Sequence, residues 1–366
     1  MKTRIFFVIL LVVSAFVGNA FANPFPSKVE SQSQSGKSTE YGFSYSFEHA
    51  RWYGLDARAS YLDLLDNYHF SWVRLVFYWD EMTDDSGNLK IDDLKWAIEQ
   101  ADKRNIKVVM ALGVKTPYYP EFHLPDNEKS KLKFADKITP SHLLAADVVE
   151  MDKKVVGELS AYDNIVYWQV ENEPLLANID QITVDEGLIS EEIAAVRSVD
   201  SKKRPIALSN AARASYDKNY KKLLGLMSPG DILFVNAYFT TQNANIAAFK
   251  LAGLEIRIKW PNGFYWPVQS WLFLSPNYGA IIKDAKAAGV GVWVAEMQAE
   301  PYIRTLDDAR GNVFSFNSAD LAYADNFVRS VGFDHIGLWG ASFWHYREKI
   351  GDDNWENAVK LLTTND

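Results

Sequence analysis

Residues 165–174 read IVYWQVENEP, a large apolar run that turns acidic at Glu171 and Glu173 and stops at Pro174. A carboxylate at the end of a core strand is costly to desolvate unless it is paired or employed. A second apolar run, GVWVAE from Gly291, also closes on an acid, Glu296. Two carboxylates facing each other across one cleft suit the cleavage of a glycosidic bond. One must be protonated to help the leaving oxygen depart, and the other ionised to attack the sugar carbon or activate water. Strand alternation groups Val292, Val294 and Glu296 on one face and Trp293 and Ala295 on the other. The inward choice sets Glu296 over the cleft. Arg74 is a lone cation inside the apolar run WVRLVF and needs a partner. Glu171, Asp80 and an active-site carboxylate all compete for that place. Glu171 shares a strand face with Glu173, where it would either raise the acid by like-charge repulsion or pair with Arg74.

These residues need a scaffold, and the chain supplies one unit eight times: a short apolar run, a polar or aromatic loop, then an amphipathic helix. The strands are YGFSYSF from Tyr41, WVRLVF from Trp72, IKVVMAL from Ile106, IVYWQV from Ile165, RPIAL from Arg204, DILFVNAYF from Asp231, GVWVAE from Gly291 and HIGLWGA from His335. Between strands two and three, Ile91, Leu94, Ile98 and Ala101 fall on one helix face. Before strand seven, Ile281, Ile282 and Ala285 point inward on a helix that stops at Gly289. DNWENAVKLL closes the chain as a last helix. Strands apolar on both faces and alternating with helices predict a parallel (β/α)8 TIM barrel, α/β in class and one domain over residues 40–366. Glu173 then ends strand four and Glu296 ends strand seven, at the C-terminal mouth where such barrels hold their chemistry.

WQVENEP and, less specifically, WVRLVFYWDEM resemble the clan A glycoside hydrolases, retaining (β/α)8 enzymes of the family 5 and family 42 type. The likeness runs from Tyr41 to about Leu362. It implies that Glu173 is the acid/base and Glu296 the nucleophile. It further implies that Asn172 bonds the 2-hydroxyl of the sugar at the cleavage point and that Arg74 pairs with the nucleophile. Tyr238 would donate a hydrogen bond to Glu296, and Trp339 would form the apolar floor under that sugar. The substrate implied is a β-linked oligo- or polysaccharide. Two strand ends depart from the best-known family 5 pattern: strand three closes on MALG without a histidine, and strand six reads NAYF, with Asn236 two residues before the tyrosine.

The loops suggest a long ligand. KWPNGFYWPVQSWLF after strand six gathers Trp260, Phe264, Tyr265, Trp266, Trp271 and Phe273, and such rings stack on the C–H face of a pyranose. Trp79, Trp266 and Trp344 rank highest as sugar-stacking residues. Glu48, His49, Glu81, Tyr118, Tyr119, His123 and His345 are further candidates near strand ends.

Composition excludes other chemistries. A net charge of −9 without a basic stripe argues against nucleic acid. With no cysteine there is no disulfide, thiolate ligand or thiol nucleophile. The 6 histidines show no paired ligand spacing, so neither a metal nor a cofactor is expected. No G-x-S-x-G elbow or phosphate loop is present. Residues 1–22 read as an export signal, with Lys2 and Arg4 ahead of an apolar run and Ala20-Phe21-Ala22 as the cleavage site. Residues 23–39 are a polar Ser/Gln-rich tether. The expected location is secreted, periplasmic or at the cell surface, with an uncleaved N-terminal anchor as the one membrane contact. The competing functional readings are a non-hydrolytic carbohydrate-binding protein on the same scaffold and a transglycosylase.

Overall fold

A computed structural model describes residues 38–212, 217–241, 245–251, 254–259, 266–267, 275–311 and 315–364. The expected export signal and nearly all of the tether lie outside these residues.

The eight expected strands form where their apolar runs lie. They are β1 (Glu40–Tyr45), β2 (Trp72–Val76), β3 (Lys107–Leu112), β4 (Ile165–Val170), β5 (Ile206–Asn210), β6 (Ile232–Ala237), β7 (Gly291–Gln298) and β8 (His335–Trp339). Each pairs in parallel with the next, and β1 pairs with β8, so the sheet closes into a barrel. A packing helix follows each strand on the way round, with shorter or extra helices beside some of them: Ala57–Asn67, Asp92–Asp102, Ala145–Leu159, Glu186–Val199, Asn219–Leu224, Tyr278–Ala287, Asp320–Val331 and Asn354–Thr364. Their inner faces follow the sequence period. Asp92–Asp102 buries Leu94, Ala97, Ile98 and Ala101, and Asp92 and Asp93 sit in its first turn, where the helix dipole favours acids.

Two apolar layers result. The larger lies between strands and helices. The smaller fills the barrel itself and contains Trp72, Val109, Ala207, Ile232, Phe234, Trp293 and Ala295. Trp72 is fully buried there, and two glycines make room for it. A Cβ on Gly42 would stand 2.2 Å from its ring, and one on Gly337 2.5 Å. The floor of the barrel is therefore closed by a large side chain.

Three expectations need correction. First, Trp293 and Ala295 are the residues of β7 that face the barrel interior, whereas Val294 packs in the outer layer. The pairing register of β7 shifts between Val294 and Glu296, and this bulge turns Glu296 inward against simple alternation. Second, β8 ends at Trp339. Gly340, with φ 138°, turns the chain into a helix, Ala341–Lys349, that is buried from Ala341 to Arg347. Third, the chain between β6 and the aromatic-rich stretch forms strands of its own, and Trp266–Pro267 within that stretch forms another. An antiparallel ribbon pairs Asn245–Leu251 with Leu254–Lys259, and Trp266–Pro267 pairs with Thr240–Thr241.

Candidate active site

Glu173 and Glu296 meet at the C-terminal mouth of the barrel, and Asn236 joins them. Its Nδ2 donates to Glu173 Oε1 at 2.6 Å and to Glu296 Oε2 at 3.0 Å. Those two carboxylate oxygens therefore lie no further apart than the sum of the two bonds, about 5.6 Å. Tyr238 donates its hydroxyl to the same Glu296 oxygen at 3.0 Å. Arg74 reaches across from β2 and donates Nη2 to Glu296 Oε1 at 2.6 Å, while its Nε bonds Ser44 Oγ on β1 at 2.9 Å. Both members of this ion pair are buried. A buried pair of this kind is weak evidence of stability, since desolvation offsets most of the attraction. What it does fix is the position of one carboxylate.

Trp339 stands at the end of β8. Its ring lies 5.7 Å from the Arg74 guanidinium and 4.2 Å from the ring of Tyr118, stacked against it. Asn172 is buried, and its side-chain oxygen accepts from Ser209 Oγ at 3.2 Å and Gln169 Nε2 at 3.3 Å. With its oxygen so occupied, the amide nitrogen of Asn172 is the end left to meet a hydroxyl.

Glu171 takes neither of its two expected roles. It is fully buried, but Arg74 is bonded to Glu296 and Ser44 instead. Glu171 has φ 60° and Glu173 has φ 46°, so alternation fails between them and Glu171 turns out of the barrel. A non-glycine residue in this region costs roughly 1–2 kcal/mol. Neighbouring contacts offset that strain. Glu171 Oε1 and Oε2 accept the N–H groups of Val114 and Lys115, at 2.7 and 2.8 Å. Lys115 Nζ, itself buried, donates to the backbone oxygens of Glu173 at 3.0 Å and Leu176 at 2.9 Å. The Glu173 N–H donates to Ser209 Oγ at 2.6 Å.

Behind Glu171 two helices bring up Asp152 and Glu192, both buried. Glu192 lies against both other carboxyls, and neither of its oxygens nor Asp152 Oδ2 has a donor among the described residues. Burial pushes Glu171 up to about 7. Burial, reinforced by the neighbouring acids, lifts Asp152 and Glu192 well above the usual carboxyl range. Three carboxyls in one dry pocket cannot all ionise, so they share protons. The sequence reading missed this cluster because Asp152 and Glu192 look like ordinary helix acids. It also recorded Asn236 only as a departure from a pattern. Its place two residues before Tyr238, on the same strand face, was the available signal.

The aromatic candidates divide. Trp344 is fully buried and donates Nε1 to the Ala299 oxygen at 2.7 Å, so it is a core residue and not a sugar platform. Trp344 does follow β8, as expected, but on a helix that is buried against the core. Trp79 is likewise buried in the main apolar layer, and packing is the role the structure gives it. Trp266 pairs through its backbone with Thr241. The adjacent Thr240 N–H is bonded to Gln298 at the end of β7, which sets this short strand above the mouth. Trp260, Phe264, Tyr265, Trp271 and Phe273 lie outside the described residues. His345 is buried against Ser60 and Asp63, and His123 against Tyr78. Tyr119 is exposed. Among the described residues no group of acids and histidines is arranged to hold a metal ion.

Residues 31–245, more than half of the chain, match the model of the cellulase family, glycosyl hydrolase family 5. The chain belongs to this family. Solved structures share its barrel at low identity. A family 5 lichenase from Caldicellulosiruptor sp. F32 superposes with a TM-score of 0.55 at 13% identity, covering 93% of this chain and 100% of the other. An exo-β-1,4-mannosidase from Opitutaceae bacterium strain TAV5 gives 0.54 at 13% identity, covering 89% of this chain. This family 5 chain spans 60% of the length of that mannosidase. A broad-specificity endoglucanase from an uncultured bovine rumen ciliate gives 0.50 at 15% identity, covering 85% and 88%. At such identities the likeness is one of fold. No curated protein sequence matches the chain.

Proposed function

We propose that this chain is an exported retaining glycoside hydrolase acting on β-linked oligo- or polysaccharides by double displacement. The bridge made by Asn236 carries the reading. A separation of no more than about 5.6 Å between the facing oxygens fits the roughly 5–5.5 Å of retaining enzymes. It leaves no room for the water that inverting enzymes place between carboxyls roughly 6.5–9.5 Å apart.

Glu296 is the nucleophile. Arg74, Tyr238 and Asn236 supply donors to both of its oxygens and hold it in place for attack. Glu173 is the acid/base. In the first step a Glu296 oxygen bonds the anomeric carbon, the glycosidic bond breaks, and the departing oxygen takes the Glu173 proton. In the second step Glu173 removes a proton from water, the water oxygen bonds the same carbon, and Glu296 leaves as a carboxylate. Asn172 holds the 2-hydroxyl of the reacting sugar, and Trp339 underlies its apolar face. Trp266 is a further sugar-stacking residue in this reading. No cofactor enters either step.

The test is reducing-sugar release by the purified protein from β-glucan, xylan, mannan and galactan, with Glu296→Ala beside it. Release that disappears in the variant supports the reading, and release that persists refutes it. Export is tested separately. The mature protein should begin at Asn23, and an N-terminus still at Met1 would refute cleavage.

A further inference from the structure

Lysine is almost never fully buried unless it is paired, and Lys115 is fully buried just past the end of β3. The two-carboxylate chemistry makes no use of it. Glu121 Oε2 lies 3.8 Å from its ammonium, beyond hydrogen-bond reach. The hydrogen bonds of Lys115 go to residues 171–176 instead. Its N–H donates to Glu171 Oε2 at 2.8 Å, and its carbonyl accepts the Asn172 N–H at 2.7 Å. Its Nζ donates to the carbonyls of Glu173 at 3.0 Å and Leu176 at 2.9 Å. An ammonium carries three donors on one point, so a single side chain holds two carbonyls of the same turn.

Glu173 is gripped from the other side as well. Its N–H donates to Ser209 Oγ on β5 at 2.6 Å. Both polar groups of its own backbone are therefore held by buried side chains: Ser209 takes the N–H and Lys115 the carbonyl. The two grips come from β5 and from the end of β3, the strands that pair with β4 on either side. They act on a strained residue. Glu173, at φ 46°, sits in the left-handed region that side chains other than glycine's disfavour. With one grip released, the backbone would relax towards ordinary angles. The Cα–Cβ direction would swing, and with it the carboxyl that now stands 2.6 Å from Asn236 Nδ2.

We propose that Lys115 is a positioning residue for the acid/base: with Ser209 it clamps the backbone of Glu173, so that the carboxyl stands where the glycosidic oxygen departs. This rests on the assignment of Glu173 as the acid/base above. Lys115 acts through the Glu173 carbonyl, from a place closed to solvent. A misplacement of about 1 Å can cost about 10²-fold in rate. When the misplaced group is a proton donor, the loss falls on substrates whose leaving group needs that proton.

The experiment compares kcat/KM of the purified protein on two kinds of substrate, because this constant reports the departure of the leaving group. The unactivated substrates are cellotetraose, xylotetraose, mannotetraose and β-1,4-galactotetraose. The activated ones are the 2,4-dinitrophenyl β-glycosides of the matching disaccharides, whose phenolate departs without a proton. Lys115→Met, which keeps the stem and removes the ammonium, is measured beside Glu173→Ala. The expected result is a loss of about ten- to a hundred-fold on the tetraose that the parent cleaves, with the dinitrophenyl glycoside hydrolysed almost as by the parent. Lys115→Gln, which retains a neutral donor, should fall between the two, and it keeps the test open if Lys115→Met does not fold. A ratio of the two constants unchanged from the parent overturns the proposal, whether both substrates suffer alike, as they would from a general loosening of the barrel, or neither does. Failure of the acid assignment looks different, because Glu173→Ala would then itself show no selective loss. A parent that cleaves no tetraose refutes the hydrolase reading and the clamp together.

Discussion

The carboxyl cluster behind β4 gives a prediction with a definite sign. If Glu192 is held as a neutral acid between Glu171 and Asp152, the folded chain keeps a proton that the unfolded chain releases above about pH 4.5. A carboxyl raised by folding gives stability that is complete below its unfolded value. That stability is lost as pH climbs towards the folded value. For Glu171 the window runs from 4.5 to about 7, and for Glu192 it extends upward from 4.5. Glu192→Gln has the same shape and can still donate to a neighbouring carboxylate, but it cannot ionise. One retained proton corresponds to about 1.4 kcal/mol per pH unit. The variant should therefore gain on the parent as pH rises above roughly 5, for as long as Glu192 stays protonated in the fold. Groups outside the cluster titrate in both proteins and cancel in the difference. The assay is urea unfolding of parent and variant at several pH values, followed by tryptophan fluorescence. Parallel stability curves would refute the reasoning. They would mean that Glu192 is ionised in the fold and that Glu171 has no neutral donor behind it.

Other outcomes follow from single contacts. Glu173→Ala should cut turnover of unactivated glycans by about 10²–10⁴-fold, with a smaller loss on aryl glycosides whose leaving groups need no proton, and equal losses on both would refute the acid role. Asn236→Ala removes a donor from both carboxylates and should lower kcat by about 10²-fold, whereas kcat unchanged in steady-state kinetics would make the bridge incidental. Trp344→Phe gives up the bond to the Ala299 oxygen and should cost about 1–3 kcal/mol in thermal unfolding; a raised KM at intact stability would restore Trp344 to the cleft.

The eight strands and the two strand-end glutamates were legible in the sequence because they rest on local rules. An apolar run with both faces buried reads as a core strand, and an acid at its end stands out against it. The partnership of Arg74 with Glu296 followed from the resemblance. Residue reading alone left Glu171 and Asp80 in play, because charge identifies a need for a partner without naming one. What sequence could not supply depends on backbone departures and on distance. The β7 bulge and the positive φ at Glu171 and Glu173 break the alternation by which side chains were assigned to faces. The Glu171–Glu192–Asp152 cluster joins a strand end to two separate helices. Sequence thus determined which segments form strands and which carry catalytic types of residue, since periodicity and burial act locally. Tertiary structure alone decided which carboxyls face each other and which share protons, since both depend on separations set by the closure of the barrel.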